Sequence, residues 1–205
     1  MEPFLFNVYT NGLESYLLNL RADPPRVASN FIPLLLYADD AVLMSRTPSG
    51  LQKLIDGYTD YMSSLGLLVN TSKSHSMILS RRIIRKNYYF YSNNMQLLPV
   101  NSFSYLGILF DSKIKWSQLQ TLKQTQLIKA GGALHSFGRR IGGRPLKPML
   151  ELYRAKCVTL ALYGAGIWGY CNMNSLQIEE NRFLRRLLSV PISTSVFILH
   201  EELGV

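Results

Sequence analysis

Apolar positions along the chain switch between helical and strand spacing, and the switches mark its elements. Phe4, Leu5, Val8, Tyr9, Leu13, Tyr16 and Leu17 recur at helical intervals. That predicts one amphipathic helix over the first twenty residues, with Pro3 suited to its first turn. Asp23-Pro24-Pro25 then breaks the chain into a loop. Residues 32–36 and 41–44 are short apolar runs around a polar turn, the pattern of a hairpin. Thr47 suits an N-cap and Pro48 a first helical position. Leu51, Leu54, Ile55, Tyr58, Met62 and Leu65 form one face of the following helix, which Gly66 ends. Residues 67–70 and 76–79 read as strands around a polar turn that holds Lys73.

Residues 88–91, 95–100 and 103–110 are further strand candidates, divided by Asn93-Asn94 and Asn101-Ser102. After Trp116 the texture changes. Residues 117–137 read as a helix, 138–144 as a glycine-arginine loop, 145 to about 163 as a second helix, and 173–189 as a third before Pro191. The fold class is therefore α+β: an antiparallel sheet with packed helices over residues 1–115, then an all-helical region over 116–205.

Composition narrows the function classes. Hydrophobic residues make up 47% of the 205, enough to bury a core and to exclude global disorder. The net charge is +9, which points to a polyanionic partner, nucleic acid first and an anionic membrane surface second. The charge is uneven: residues 1–80 carry −2 and residues 81–205 carry +11. Carboxylates for cations in one part and basic groups for a strand in the other would suit phosphate chemistry. Solvated lysines and arginines that keep a protein soluble would give the same count. Cys157 and Cys171 fit no zinc spacing and are too few for a disulfide framework, so they read as reduced and structural. No secretion signal is visible, and the longest apolar run, 158–169, is too short and glycine-rich to span a membrane. The expectation is an intracellular protein of nucleus or cytoplasm.

The candidate chemistry centres on Asp39 and Asp40. Asp is a common turn residue, and an Asp-Asp pair by itself reads as a solvated turn. Its context differs, because Leu34-Leu35-Leu36 and Val42-Leu43-Met44 flank it and would hold it rigidly. Two carboxylates kept together repel each other, and a divalent cation relieves that cost. Mg²⁺ prefers oxygen ligands and bridges carboxylates to phosphates.

Tyr37-Ala38-Asp39-Asp40, after one apolar strand and before Ala41-Val42-Leu43, resembles the catalytic hairpin of reverse transcriptases. Other segments resemble that family in the same order. Pro3-Phe4-Leu5-Phe6-Asn7-Val8-Tyr9 is similar to the Pro-x-Leu-Phe-Asn helix that follows the family's Gln-Gly template-contacting turn. Leu65-Gly66-Leu67 with Asn70 and Lys73 is similar to the next palm motif, and Phe103-Ser104-Tyr105-Leu106-Gly107 to the primer grip. Tyr163-Gly164, Trp168-Gly169 and Phe183-Leu184-Arg185-Arg186 resemble the region after the palm in LINE-type (non-LTR) retrotransposon polymerases.

The resemblance implies an RNA-directed DNA polymerase with a palm over residues 1–115 and a thumb-like region over 116–205. It implies a two-metal mechanism with Mg²⁺, or Mn²⁺ in its place, and an RNA template, a DNA primer and deoxynucleoside triphosphates as partners. Asp39 and Asp40 would hold the metal. Lys73 would serve as general acid for pyrophosphate or attract its charge. Tyr37 and Ala38, with Tyr105, Leu106 and Gly107, would meet nucleotide and primer. The family's third carboxylate, its Gln-Gly turn and its fingers belong upstream of Met1. The expectation is thus a truncated palm plus thumb with little polymerase activity of its own, the alternative being an inactive nucleic-acid-binding remnant.

Other residues carry two readings each. Arg81, Arg82, Arg85 and Lys86 would track a phosphate backbone, signal localisation, or simply be solvated. Arg139, Arg140, Arg144 and Lys147, interleaved with glycines, are the better backbone-binding candidates, helped by the neighbouring helix N-terminus. Asn70 reads as a turn former. Phe137 and Trp168 read as core before they read as base-stacking groups. His75, His135 and His200 show no metal spacing.

Overall fold

Gly12, with φ at 92°, breaks the first apolar segment into α1 (Pro3–Tyr9) and α2 (Leu13–Asn19). The single helix expected there does not form, because a left-handed residue redirects the chain and takes the two apolar stripes out of line. Leu13 and Leu17 are buried, while Phe4, Leu5, Val8 and Tyr9 face solvent. This computed structural model describes residues 3–84, 86–142, 145–171 and 173–203. The chain divides into two units, 1–101 and 102–205.

In the first unit, β1 (Arg26–Val27) and β2 (Asn30–Phe31) form a small hairpin too short for alternation to reveal. β3 (Leu34–Tyr37) and β4 (Asp40–Leu43) pair antiparallel, with Leu34 opposite Leu43 and Tyr37 opposite Asp40. α3 (Pro48–Ser64) starts where its cap predicts: the Gly50 amide donates to Thr47 Oγ1 at 3.2 Å. A side chain on Gly50 would collide with the Ala22 carbonyl and with Ser45 Oγ, so glycine lets α3 sit against the preceding loop. Leu54, Tyr58 and Met62 pack with Leu13, Leu17 and Ala22, and Leu34, Ala41 and Leu43 of the hairpin rest on that cluster. Ile55 turns the other way, onto Phe90 and Leu97. Full burial of each such side chain is worth about 1.5–3 kcal/mol.

Phe90 and Leu97 belong to β6 (Phe90–Ser92) and β7 (Met95–Pro99), joined through Asn93-Asn94, both left-handed as a tight hairpin turn demands. β5 (His75–Ser76) runs parallel to β7, giving the order β5-β7-β6. The single antiparallel sheet expected for this region is therefore absent among the described residues. In its place stand separate small sheets, one of them mixed. Residues 67–70 form no strand either. Leu67 and Val69 pack on the core while Leu68 is exposed, but no neighbouring strand takes their backbone groups.

The second unit opens with β8 (Ser102–Tyr105) and β9 (Ile108–Asp111), turning at Leu106-Gly107. Helices follow: α4 (Ser117–Arg140), α5 (Leu146–Leu152), a π-helical segment (Tyr153–Val158), α6 (Thr159–Leu162), α7 (Ala165–Trp168), α8 (Asn174–Leu188) and α9 (Val196–Leu203). Ile108 of the hairpin joins Leu119, Cys157, Trp168 and Phe183 in one core. So β8–β9 packs with the helices, although the change of texture comes at 114–116. Trp168 is fully buried, which removes it as a base-stacking group. Cys157 is buried, and burial pushes its thiol up to about 11; Cys171 is half-buried, and neither is in a disulfide. Mixed helices and sheets make the class α+β. No helix of the described residues is long and apolar enough to cross a membrane.

The Thr47 cap sets the stability of α3. Thr47→Ala is expected to cost about 1 kcal/mol in a denaturant melt, and Gly50→Ala more, because backbone oxygen has no room to yield. Equal midpoints for Gly50→Ala and the wild type would contradict this packing.

Candidate functional site

The β3–β4 hairpin turns in two residues. Ala38 takes φ 51°, Asp39 follows it, and Asp40 already pairs with Tyr37 across the strands. Opposed residues of a pair share a face, so Asp40 and Tyr37 project together. Both carboxylates are exposed, as is Tyr37. The flanking strands are half-buried rather than core: Leu34 and Leu36 alternate with the exposed Leu35 and Tyr37. Asp39 acts toward α3. Burial first, and the negative charge of Asp39 second, push the Tyr58 phenol above its ordinary value. The hairpin tip thus carries one carboxylate on the tyrosine face and another whose field reaches the helix behind it.

Among the described residues neither carboxylate is in an ion pair with a protein cation, whereas Arg46 faces Asp23 at 3.9 Å and Arg182 pairs with Glu179. Asp23, in the loop before the hairpin, and Asp111, at the end of β9, make contacts of their own. Asp23 faces Arg46, and Asp111 Oδ1 accepts the Lys113 amide at 2.8 Å. No group of three or more His, Cys, Asp or Glu that could hold a metal occurs among the described residues. Mg²⁺ in phosphoryl-transfer sites is held by one or two carboxylates with substrate phosphates and water, not by an all-protein cage. Asp39 and Asp40 fit that first requirement.

Lys73 lies exposed in the turn 71–73, and no ion pair links it to either carboxylate. Asn70 is a turn former: its Oδ1 accepts from Ser72 Oγ at 2.7 Å and its carbonyl from Ser74 Oγ at 2.9 Å. In the second unit, Tyr105, Leu106 and Gly107 form the tip of β8–β9, with Leu106 and Gly107 at φ 47° and 75°. The Tyr163 hydroxyl donates to the Leu106 carbonyl at 2.9 Å, joining two motifs that lie far apart in sequence.

The basic residues differ from expectation. Arg139 and Arg140 are not in a loop. α4 runs through them, and they form its last turn, where cations suit the helix dipole. Gly138 did not stop the helix because it is buried within it. Lys147 is exposed in the first turn of α5, and Arg144 lies outside the described residues. Arg81, Arg82 and Lys86 are exposed in irregular backbone, with Arg85 outside the described residues. Sequence analysis does not single out Arg182, and it names Arg186 only within a motif. They sit beside a cavity of about 190 Å³ with Tyr153, Phe183, Gly131 and Gly132. Their four-residue spacing on one helix was a signal, but the notch opposite is made by glycines on another helix.

The sequence profile of the family described as reverse transcriptase (RNA-dependent DNA polymerase) matches residues 1–110. Over 220 aligned positions the chain is 24% identical to the Retrovirus-related Pol polyprotein from type-2 retrotransposable element R2DM of Drosophila melanogaster. The alignment takes in 98% of this chain and 19% of that polyprotein, so the chain spans about a fifth of its relative's length. No solved structure matches.

The reach of Asp39 to Tyr58 is measurable. Asp39→Asn removes a negative charge that favours the neutral phenol, so the Tyr58 pKa falls toward 10.0 without reaching it, because burial remains. Tyrosine ring resonances followed against pH, with Tyr58→Phe for assignment, report the shift. A Tyr58 titration identical in wild type and Asp39→Asn would show that the carboxylate points elsewhere.

Proposed function

The chain belongs to the reverse transcriptase (RNA-dependent DNA polymerase) family, and from that membership we propose that it forms palm and thumb of a LINE-type retrotransposon polymerase that extends a DNA primer on an RNA template. The observation that carries the reading is the hairpin tip. It presents Asp39 and Asp40 to solvent, without a cation partner among the described residues and backed by α3. Carboxylates left unneutralised on a supported turn suit a site whose counter-charge arrives with the substrate.

The residues take separate roles. Asp39 and Asp40 would hold Mg²⁺, or Mn²⁺ in its place. That metal, when bound, supplies activation of the primer 3′-hydroxyl and stabilisation of the leaving pyrophosphate. Tyr37 shares the face of Asp40 and would pack against the primer end or the incoming nucleotide, with Ala38 keeping the turn tight beside it. Lys73, exposed on its turn, would meet the charge of pyrophosphate. Tyr105, Leu106 and Gly107 would contact the primer. Arg139, Arg140, Arg144 and Lys147 would hold the nucleic-acid backbone, and Arg182 and Arg186 join them as candidates.

A second reading is an inactive remnant that binds nucleic acid without chemistry. It is favoured because no third His, Cys, Asp or Glu joins Asp39 and Asp40 in a metal-holding group among the described residues.

Primer extension on an RNA template, with Mg²⁺ and deoxynucleoside triphosphates, separates the two. The polymerase reading expects incorporation that Asp39→Ala and Asp40→Ala each abolish. The remnant reading expects binding alone. In both, affinity for a primer–template duplex should fall steeply between low and moderate salt as phosphates are neutralised. Binding indifferent to salt would sink both readings. Mg²⁺ adds a measurement free of activity: bound near Asp39, it should lower the Tyr58 pKa in wild type and leave it unmoved in Asp39→Asn.

A further inference from the structure

Lys123 occupies a core position. The buried stripe of α4 runs Leu119, Lys123, Leu127 and Gly131, each four residues on, and Lys123 is 3% exposed. An ammonium group withdrawn from water is costly unless it is hydrogen-bonded, and its burial lowers its affinity for the proton. No carboxylate pairs with it among the described residues. Its Nζ instead donates to the Leu160 carbonyl at 3.2 Å. That carbonyl lies in the last turn of α6, where helix carbonyls lack a partner further along. The same Nζ stands 5.1 Å from the centroid of the Tyr163 ring, over its face.

Tyr163 carries the contact onward. Its carbonyl accepts from Trp168 Nε1 at 3.2 Å, and Trp168 is fully buried. Its hydroxyl donates to the Leu106 carbonyl at 2.9 Å. Space is short on both sides. A Cβ on Gly107 would lie 3.3 Å from the Tyr163 ring, and one on Gly164 would strike the Ile108 side chain. Leu106 itself is left-handed, a conformation that a bulky side chain resists and that persists only where its surroundings impose it.

We propose that Lys123 is a positioning residue. Its buried ammonium fixes the Tyr163 ring, and the Tyr163 hydroxyl holds the left-handed Leu106 peptide, so that the Leu106–Gly107 turn meets a primer end in one conformation. The chain of contacts stands on geometry, and the meeting with a primer rests on the polymerase reading above.

Three variants test it. Lys123→Met keeps the apolar stem and removes the charge, Lys123→Arg keeps a charge, and Tyr163→Phe removes the hydroxyl alone. Amide hydrogen exchange of residues 105–108 is the readout. Lys123→Met and Tyr163→Phe should each speed it about tenfold, the loss of a charge-assisted hydrogen bond or its equivalent. The double variant should add little to either, and Lys123→Arg should restore slow exchange. Methionine in an apolar stripe should keep or raise the melting temperature, so general loosening would not account for the change. Should Lys123→Met fail to fold, Tyr163→Phe decides. Exchange at 105–108 unchanged in Lys123→Met or in Tyr163→Phe, or no rescue by arginine, overturns the proposal.

Fluorescence anisotropy with a labelled primer–template duplex separates this from the polymerase reading. The loosened variants should bind several-fold more weakly than wild type, by the same loss of preorganisation. If wild type itself does not bind while the exchange results hold, the primer role fails and the latch stands.

Discussion

A hairpin of two four-residue strands and a two-residue turn does not hold itself together in water. β3–β4 exists because α3 gives it something to rest on, and the first unit depends on that support. Leu34, Ala41 and Leu43 lie on the cluster that Leu54, Tyr58 and Met62 of α3 build with Leu13 and Leu17. Ile55, one residue on from Leu54, faces the β6–β7 pair. One helix therefore backs the hairpin on one side and anchors a second sheet on another. The carboxylates remain wet at the tip while the backbone that carries them is fixed from below.

The second unit handles polarity differently. Its core encloses Lys123, Glu179 and Asn181 among large apolar groups. Glu179 is satisfied by Gln124 at 3.1 Å and by Arg182 at 2.6 Å, Asn181 Oδ1 by His200 at 3.4 Å, and Lys123 by a helix-end carbonyl. Each buried polar group thus ties one helix to another. The π-helical segment adds a wider turn there, and Tyr153 stacks on Phe183 with ring centroids 4.1 Å apart.

How much of this was legible follows from where each signal resides. α3 was readable in full, because its cap, its proline, its apolar face and its terminating glycine are all local. The β3–β4 and β6–β7 turns were readable for the same reason, and the hairpin placement of Asp39, Asp40 and Tyr37 came with the first. Residues 103–110 read as one strand, because the turn at Leu106-Gly107 lies inside an apolar run, and the structure breaks them into β8 and β9. The break at Gly12 was missed because one glycine inside a continuous apolar period does not announce its φ. The strand at 67–70 failed because a strand needs a partner, which alternation cannot supply. Arg139 and Arg140 were misplaced because Gly138 looked like a stop, yet packing carried the helix past it. The link from Tyr163 to Leu106 spans 57 residues and has no local trace.

The chain buries more than one core, and each of its two units keeps its own. A single unfolding midpoint for the whole protein has a thermodynamic meaning only where the two cores unfold together. Asp39 and Asp40 are secured by the stability of residues 1–101, and the Leu106–Gly107 turn by that of residues 102–205. A substitution in one core therefore acts first on the feature which that core carries.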